Sequence, residues 1–432
     1  MAVGGRRWRA LVAVAAAALV APACWPQAGF DARRSGFNGG ETGITSATVA
    51  QLAPAWTATV GGGPGEPVVL GATAYVRTGG AVTALDTTTG AVRWTTPLAG
   101  AGLPVLAQNH VWVPVASSAC SLASLDLGTG AVVDTRSFGG PGLPNNDQSF
   151  AACGTYDLVG VGKRLMIGWL YLASAFAPGQ CLPNRTNAFG AAVNAFDTDT
   201  TAGAWNTGGI TVTCDPLPTT PPAGVRGRLS SDSTTLFAPH AVVSSTGAAD
   251  SVAGFSVATG AGQFSWATPS TVVTPVTPLS DASTELAAVA TDGHLFVLDK
   301  DTGAVDWSAD LGAAASTPAA VTDTTIFVAG GDGRVLAFPV GGCGAATCSP
   351  AWTATLPAAA TARPSVVGDV LYVGGSDGRL TALPAGGCGA ATCAALFATT
   401  LPGSVSGSPV ADGGTLYVGS STGTVTAYRI PT

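Results

Sequence analysis

Nine cysteines carry the most evident chemistry in this sequence of 432 residues. Residues 341–348 and 386–393 both read GGCGAATC, with four residues between the paired cysteines. A hairpin brings such a pair within bridging distance. Cys343–Cys348 and Cys388–Cys393 are therefore expected as local disulfides. A four-cysteine zinc site is the alternative, and no histidine lies near either copy to favour it. Cys120, Cys153, Cys181 and Cys214 are expected to form two more bridges, assigned as Cys120–Cys153 and Cys181–Cys214. Four cysteines allow three pairings, so this assignment is one choice among them. Cys24 is left over.

The other candidate groups read as architecture. Residues 374–378 and 419–423 match the Gly-x-Ser-x-Gly hydrolase pattern. A nucleophile elbow needs a strand before it and a helix after it, and here a second strand follows. Asp299-x-Asp301-x-Gly303 and Asp197-x-Asp199 look like fragments of calcium loops. A full loop needs more oxygen ligands and a distal Glu. Asp86 opens the same Thr-Gly turn with no second Asp, which favours turn capping. His110, His240 and His294 are scattered without metal-ligand spacing, and no metal site is expected.

Composition narrows the class. Gly, Thr, Val and Ala dominate, while Lys occurs only at 163 and 300 and Glu only at 41, 66 and 285. Long amphipathic helices would need more of both, so many short strands joined by Gly-rich turns is the better reading. A net charge of −7, with no Lys/Arg cluster after residue 34, argues against nucleic acid as a partner. Arg6, Arg7 and Arg9 precede an apolar run at 10–20 and then Ala21-Pro22-Ala23-Cys24. Residues 1–23 are thus expected as a signal peptide of an exported protein. Cys24, the odd cysteine, suits lipid attachment as the first mature residue, although Ala21 stands where such sites usually carry Leu. Free secretion is the alternative.

These groups need a frame. Residues 84–94 (ALDTTTGAVRW) and 298–307 (LDKDTGAVDW) show one cassette: an apolar strand end, Asp, a Thr-Gly turn, and a strand closing on Trp. Self-similarity at a period of roughly 40 residues, with about four strands per unit, is the signature of a β-propeller. Closing aromatics at Trp56, Trp94, Phe138, Trp205, Trp266, Trp307, Trp352 and Phe397 count eight units. The expected fold is an all-β, eight-bladed β-propeller with four antiparallel strands per blade. Seven blades is the alternative, if the third unit is an insertion. The last unit stops one strand short after Tyr428, and a strand at 52–59 can supply it, closing the ring with strands from both termini. The expected organisation is a signal peptide at 1–23, an extended lead-in at 24–51 and the propeller at 52–432.

The Trp25-x-x-x-Gly29 opening, Arg34-x-Gly36-Phe37-Asn38 and the TVAQL run at 48–52 before Trp56 resemble the start of quinoprotein chains. With the Asp-Thr-Gly-Trp repeat, the chain is similar to the PQQ-binding-like β-propeller family. That family includes quinoprotein alcohol dehydrogenases and the lipoprotein of the outer-membrane barrel-assembly machinery. In its enzymes, the resemblance implies PQQ at the channel mouth, Ca²⁺ held by Glu and Asn, a catalytic Asp, a stacking Trp and usually two adjacent Cys. This chain has no vicinal Cys pair, and Glu66 is its one Glu at a mouth position. No catalytic residue and no cofactor are expected, with PQQ and calcium as the alternative.

In a propeller, the residue just before the Pro or small residue of each innermost strand tends to lie at one mouth of the channel. Here those positions read Glu66, Leu103, Arg228, Thr277, Thr317, Arg363 and Ser408. Two Arg and a Glu converging on one funnel suit an anionic or carbohydrate ligand. The expected function is a non-catalytic, lipid-anchored propeller acting as a protein-interaction or ligand-binding scaffold at the cell envelope. Its expected partner is an envelope protein or a small-molecule or carbohydrate ligand. It is expected to be a monomer that meets the membrane only through its anchor. A PQQ-dependent dehydrogenase acting on an alcohol or sugar is one alternative. An envelope polysaccharide-binding or sensor module is another, with Trp112, Trp169 and Tyr171 as its aromatic candidates.

Overall fold

Eight blades of four antiparallel strands follow one another along the chain, as the repeat predicts, and two of them carry a fifth short strand. The structure is a computed structural model that describes residues 24–115, 121–137, 157–172, 189–200, 203–207, 210–211, 228–244 and 247–431. The expected signal peptide, Phe138 and the cysteines at 120, 153, 181 and 214 lie outside the described residues. So do most of the long connections of the third and fourth units.

In blades 1 to 7 the spatial order of the strands is their chain order, so each blade is a meander of hairpins. Blade 8 departs from this in one respect. Its first three strands are Val410–Asp412, Thr415–Ser420 and Thr424–Arg429, and its outermost strand is Ala53–Thr59 from the other end of the chain. The antiparallel register pairs Trp56 with Ala427 and Thr59 with Thr424. The ring is therefore eight-bladed, closed by strands from both termini, and the seven-bladed count is set aside.

The blades stack face to face, so their middle strands are covered on both sides. Every residue of Val370–Gly374 and Thr415–Ser420 is buried. This is why these strands read as continuous apolar runs instead of alternating. Large rings on the second strands, Tyr75, Trp112, Phe237, Phe327, Tyr372 and Tyr417, fill the space between sheets. Trp112, offered above as part of an aromatic platform, is 2% exposed and donates its Nε1 proton to the Ala107 carbonyl, so it belongs to the core. The side chains of Trp169 and Tyr171 lie outside the described set.

The cassette acts between blades. Asp86 Oδ1 accepts the Thr88 and Thr89 amides, at 2.9 Å each, and the Thr89 hydroxyl at 3.0 Å. Those bonds, the Thr89 amide first and then Arg93, pull its pKa down to about 2. Gly90 has φ +72°, and a Cβ there would meet the Trp56 ring at 2.5 Å. Trp56 in turn donates its Nε1 proton to the Thr87 carbonyl. Each Thr-Gly turn is thus a flat seat for the Trp of the preceding blade. Trp94 sits on Gly130, Trp205 on Gly260 and Trp266 on Gly303.

In blades 6 and 7 the disulfides Cys343–Cys348 and Cys388–Cys393 stand in this slot. Gly342 seats Trp307 and Gly387 seats Trp352. These longer hairpins also reach the outer strand of the blade before. The Cys348 amide donates to Ser308 O, and the Cys393 amide to Thr353 O, both at 2.8 Å. An otherwise open sheet edge is thereby covered.

Residues 24–51 are not a tail. They enter the central channel, and between Trp25 and Asn38 they bond to each blade in turn. Trp25 exchanges two backbone bonds with Val69 of blade 1, and Pro26 O accepts Leu106 N of blade 2. Gln27 bonds Gly160 of blade 3, Ala32 O accepts Ser231 N of blade 4, and Arg33 donates to Leu279 O just after the first strand of blade 5. Ser35 O accepts Val321 N of blade 6. Phe37–Asn38 adds a parallel strand to Ser365–Val367 of blade 7, and Asn38 donates to Ala411 O of blade 8.

Candidate functional site

Inner strands all run the same way through the ring, which gives the disc two distinct mouths. The upper mouth is where these strands begin, and it carries the blade-to-blade connections. The lower mouth is where they end, and it carries the Thr-Gly turns and the disulfide hairpins. The sequence points to the upper mouth, and the lead-in already occupies it.

Glu66 is 2% exposed. Its Oε1 accepts the Trp25 Nε1 proton at 2.9 Å and the Gly29 amide at 2.5 Å. Two blades round the ring, Arg363 is 3% exposed and donates from Nη1 to the Arg34 carbonyl at 2.6 Å. Burial lowers its pKa to about 9, the Arg228 and Arg34 charges push the same way, and Glu66 opposes them. Gly29, at φ +74°, leaves no room here: a Cβ would fall 2.1 Å from Arg363 Nη1.

Arg34 is the hub of the lead-in. Fully buried, it donates from Nε to Leu229 O, from Nη1 to Ala28 O, and from Nη2 to Asp157 Oδ2 and Leu158 O. Asp157 Oδ2 also accepts the Leu229 amide. Phe30 and Arg34 hold φ of +73° and +60°, a region uncommon for residues other than Gly. The fixed partners on all sides make that backbone tolerable.

The remaining mouth positions are less convergent. Thr317 is buried and turns its hydroxyl to Ala329 O of its own blade. Thr277 and Ser408 are buried, with Thr277 Oγ1 unpartnered. Leu103 packs by Gly65. Arg228 is half-buried; burial first, and then the Arg228 charge, lowers the pKa of Arg77, and the same charge acts on Arg363.

Sequence reasoning missed three members of this site. Asp157 fills the slot in blade 3 that Glu66 fills in blade 1. The register shows it, because Val159 pairs with Met166 as Val68 pairs with Tyr75. No Pro follows Asp157, so the Pro-based signal skipped it. Arg34 and Arg77 had no signal of that kind, since one is in the lead-in and the other ends a second strand.

Elsewhere, Ser376 and Ser421 lie in tight turns between strands. Asp299 Oδ1 accepts the Thr302 amide and hydroxyl, and Asp197 is paired to Arg164. The His110 ring meets Gln108 O, and the His294 ring meets Asp292. Cys24 is half-buried beside the lower mouth, next to the pinned Trp25.

An eight-bladed ring riveted by Trp on Thr-Gly turns defines a PQQ-like propeller. A family model described as outer membrane protein assembly factor BamB matches residues 4–153, 248–387 and 340–432, and the chain belongs to that family. A search of the curated proteins found no match. Among solved structures, the chain is similar to quinohemoprotein alcohol dehydrogenase from Comamonas testosteroni. Identity is 15%, coverage 94% of this chain and 80% of that one, and the TM-score 0.67. It is similar to a europium-containing methanol dehydrogenase at 14% identity, with 92% and 89% covered and a TM-score of 0.63. It is also similar to BamB from Moraxella catarrhalis at 15% identity, with 88% and 99% covered and a TM-score of 0.54. At these identities the likeness shows the fold.

Proposed function

We propose that this chain is an exported, non-catalytic propeller, lipid-anchored at Cys24, that serves as a protein-interaction or ligand-binding scaffold at the cell envelope. The observation that carries the reading is the use made of the upper mouth. Glu66, the mouth Glu that a calcium-bound quinone would call on, spends Oε1 on Trp25 and Gly29 of the chain's own lead-in. The residues present therefore fit that cofactor poorly. A rigid disc with loops on both faces suits recognition. Family membership supports a protein partner, because the matching model is described as an assembly factor. No helix among the described residues is long and apolar enough to cross a membrane.

The likeness to two alcohol-oxidising enzymes keeps one rival in view. Purified protein is incubated with PQQ and Ca²⁺, desalted, and assayed for quinone absorbance and dye-linked alcohol oxidation. No retained quinone and no turnover are expected, and retention with turnover overturns the scaffold reading. For the anchor, Cys24→Ser is expected to move the protein from the membrane fraction to the soluble one. Unchanged fractionation rejects lipidation at that residue.

A further inference from the structure

The disc is uneven in where it leaves apolar side chains in water. Among the described residues, five large ones are exposed: Leu70, Val92, Val132, Val133 and Val305, at 39% to 54%. All five stand at the lower face. Leu70 ends the inner strand of blade 1. The four valines take the first two positions of outer strands, directly after Thr-Gly turns. Blades 1 and 5 lie half a ring apart, so these side chains are spread over the face. On the same face the disulfide hairpins expose residues 343–347 and 388–392, which carry no charge. Exposed apolar residues scattered singly are ordinary, whereas five confined to one face mark a surface that meets something apolar.

That face also holds Cys24. It is half-buried, and close enough to Asp412 for that carboxylate, after burial, to raise its thiol pKa. The next residue is fixed. Trp25 exchanges backbone bonds of 3.0 and 2.8 Å with Val69, and its indole bonds Glu66. Consecutive Cα atoms are about 3.8 Å apart, so a lipid on Cys24 is joined to the disc with no linker. We propose that the lower face lies on the surface of a lipid bilayer, with Cys24 anchoring it and Leu70 and the four valines entering the headgroup boundary. The upper mouth then points away from the membrane. The inference rests on lipidation at Cys24 and adds to it which face meets the lipid. Asp86, Asp126 and Asp299 lie on this face too, so neutral headgroups suit it better than anionic ones.

The test starts from protein extracted from the membrane fraction. Its N-terminal peptide is weighed for acyl chains, and the protein is reconstituted in phosphatidylcholine vesicles. Hydroxyl-radical footprinting then compares it with the soluble Cys24→Ser protein. Labelling of Leu70, Val92, Val132, Val133 and Val305 is expected to fall severalfold on vesicles. Pro357 and Pro402, exposed in the upper connections, are expected to keep theirs. Adding phosphatidylglycerol to the vesicles should weaken the protection at low salt, because the Asp turns are then repelled. An acylated protein labelled equally on both faces, or protected at Pro357 and Pro402 instead, would overturn the inference and leave the anchor standing. A Cys24 without acyl chains would remove the anchor, and this inference with it.

Discussion

Asp412 ends the inner strand of blade 8 at the lower mouth, buried, with Oδ1 unpartnered. Burial, aided by the Glu41 charge, lifts its pKa to about 7 from an ordinary 3.8. The native state keeps this proton while the unfolded chain gives it up. Stability is therefore expected to fall as pH rises from about 4 to about 7, and to level off above. Asp412→Asn should remove that slope and melt higher than wild type at pH 8, by on the order of 1–3 kcal/mol. Melting curves across pH check this. At the upper mouth, Gly29→Ala would strain a left-handed backbone and push Cβ into Arg363. A loss of about 2 kcal/mol or more is expected in urea denaturation. The mouth positions of Glu66 and Arg363 were legible because the repeat indexes them. Their partners were not: Arg34 lies 329 residues from Arg363, and no period links a lead-in to a blade.

At the scale of elements, the Asp-Thr-Gly turn was legible from residue types alone, since Asp caps and Gly reverses. Its second job was hidden, because the Trp it seats belongs to the preceding unit. Trp94 donates to Leu127 O across blades, whereas Trp307, seated on a disulfide hairpin, leaves Nε1 buried and unpartnered. Trp94→Phe is expected to cost about 1 kcal/mol more than Trp307→Phe, the net value of one hydrogen bond. Paired chemical denaturation measures the difference. The hairpin disulfides were legible from spacing, but their pairing with the neighbouring outer strand was not. Replacing Cys343 and Cys348 together by Ser should lower stability by about 2 kcal/mol, the loop-entropy value for so short a loop. Hydrogen exchange should also rise at the Cys348 amide, which bonds Ser308.

For the whole molecule, the count of eight and the two-ended closure followed from the repeat, because every blade restates the same strands and turns. What the repeat could not place was the one segment outside it. Residues 25–38 touch every blade, so their amides should exchange only with global unfolding, as slowly as the inner strands they bond. The partly exposed stretch at 45–48 should exchange faster. Mass-spectrometric exchange resolves the two, and fast exchange at 25–38 would mean that the lead-in docks weakly. The same topology sets an order of events during synthesis. Ala53–Thr59 is made long before the strand that receives it, Thr424–Arg429. The early strand must wait for the later one, so the ring cannot be completed until residue 429 has left the ribosome.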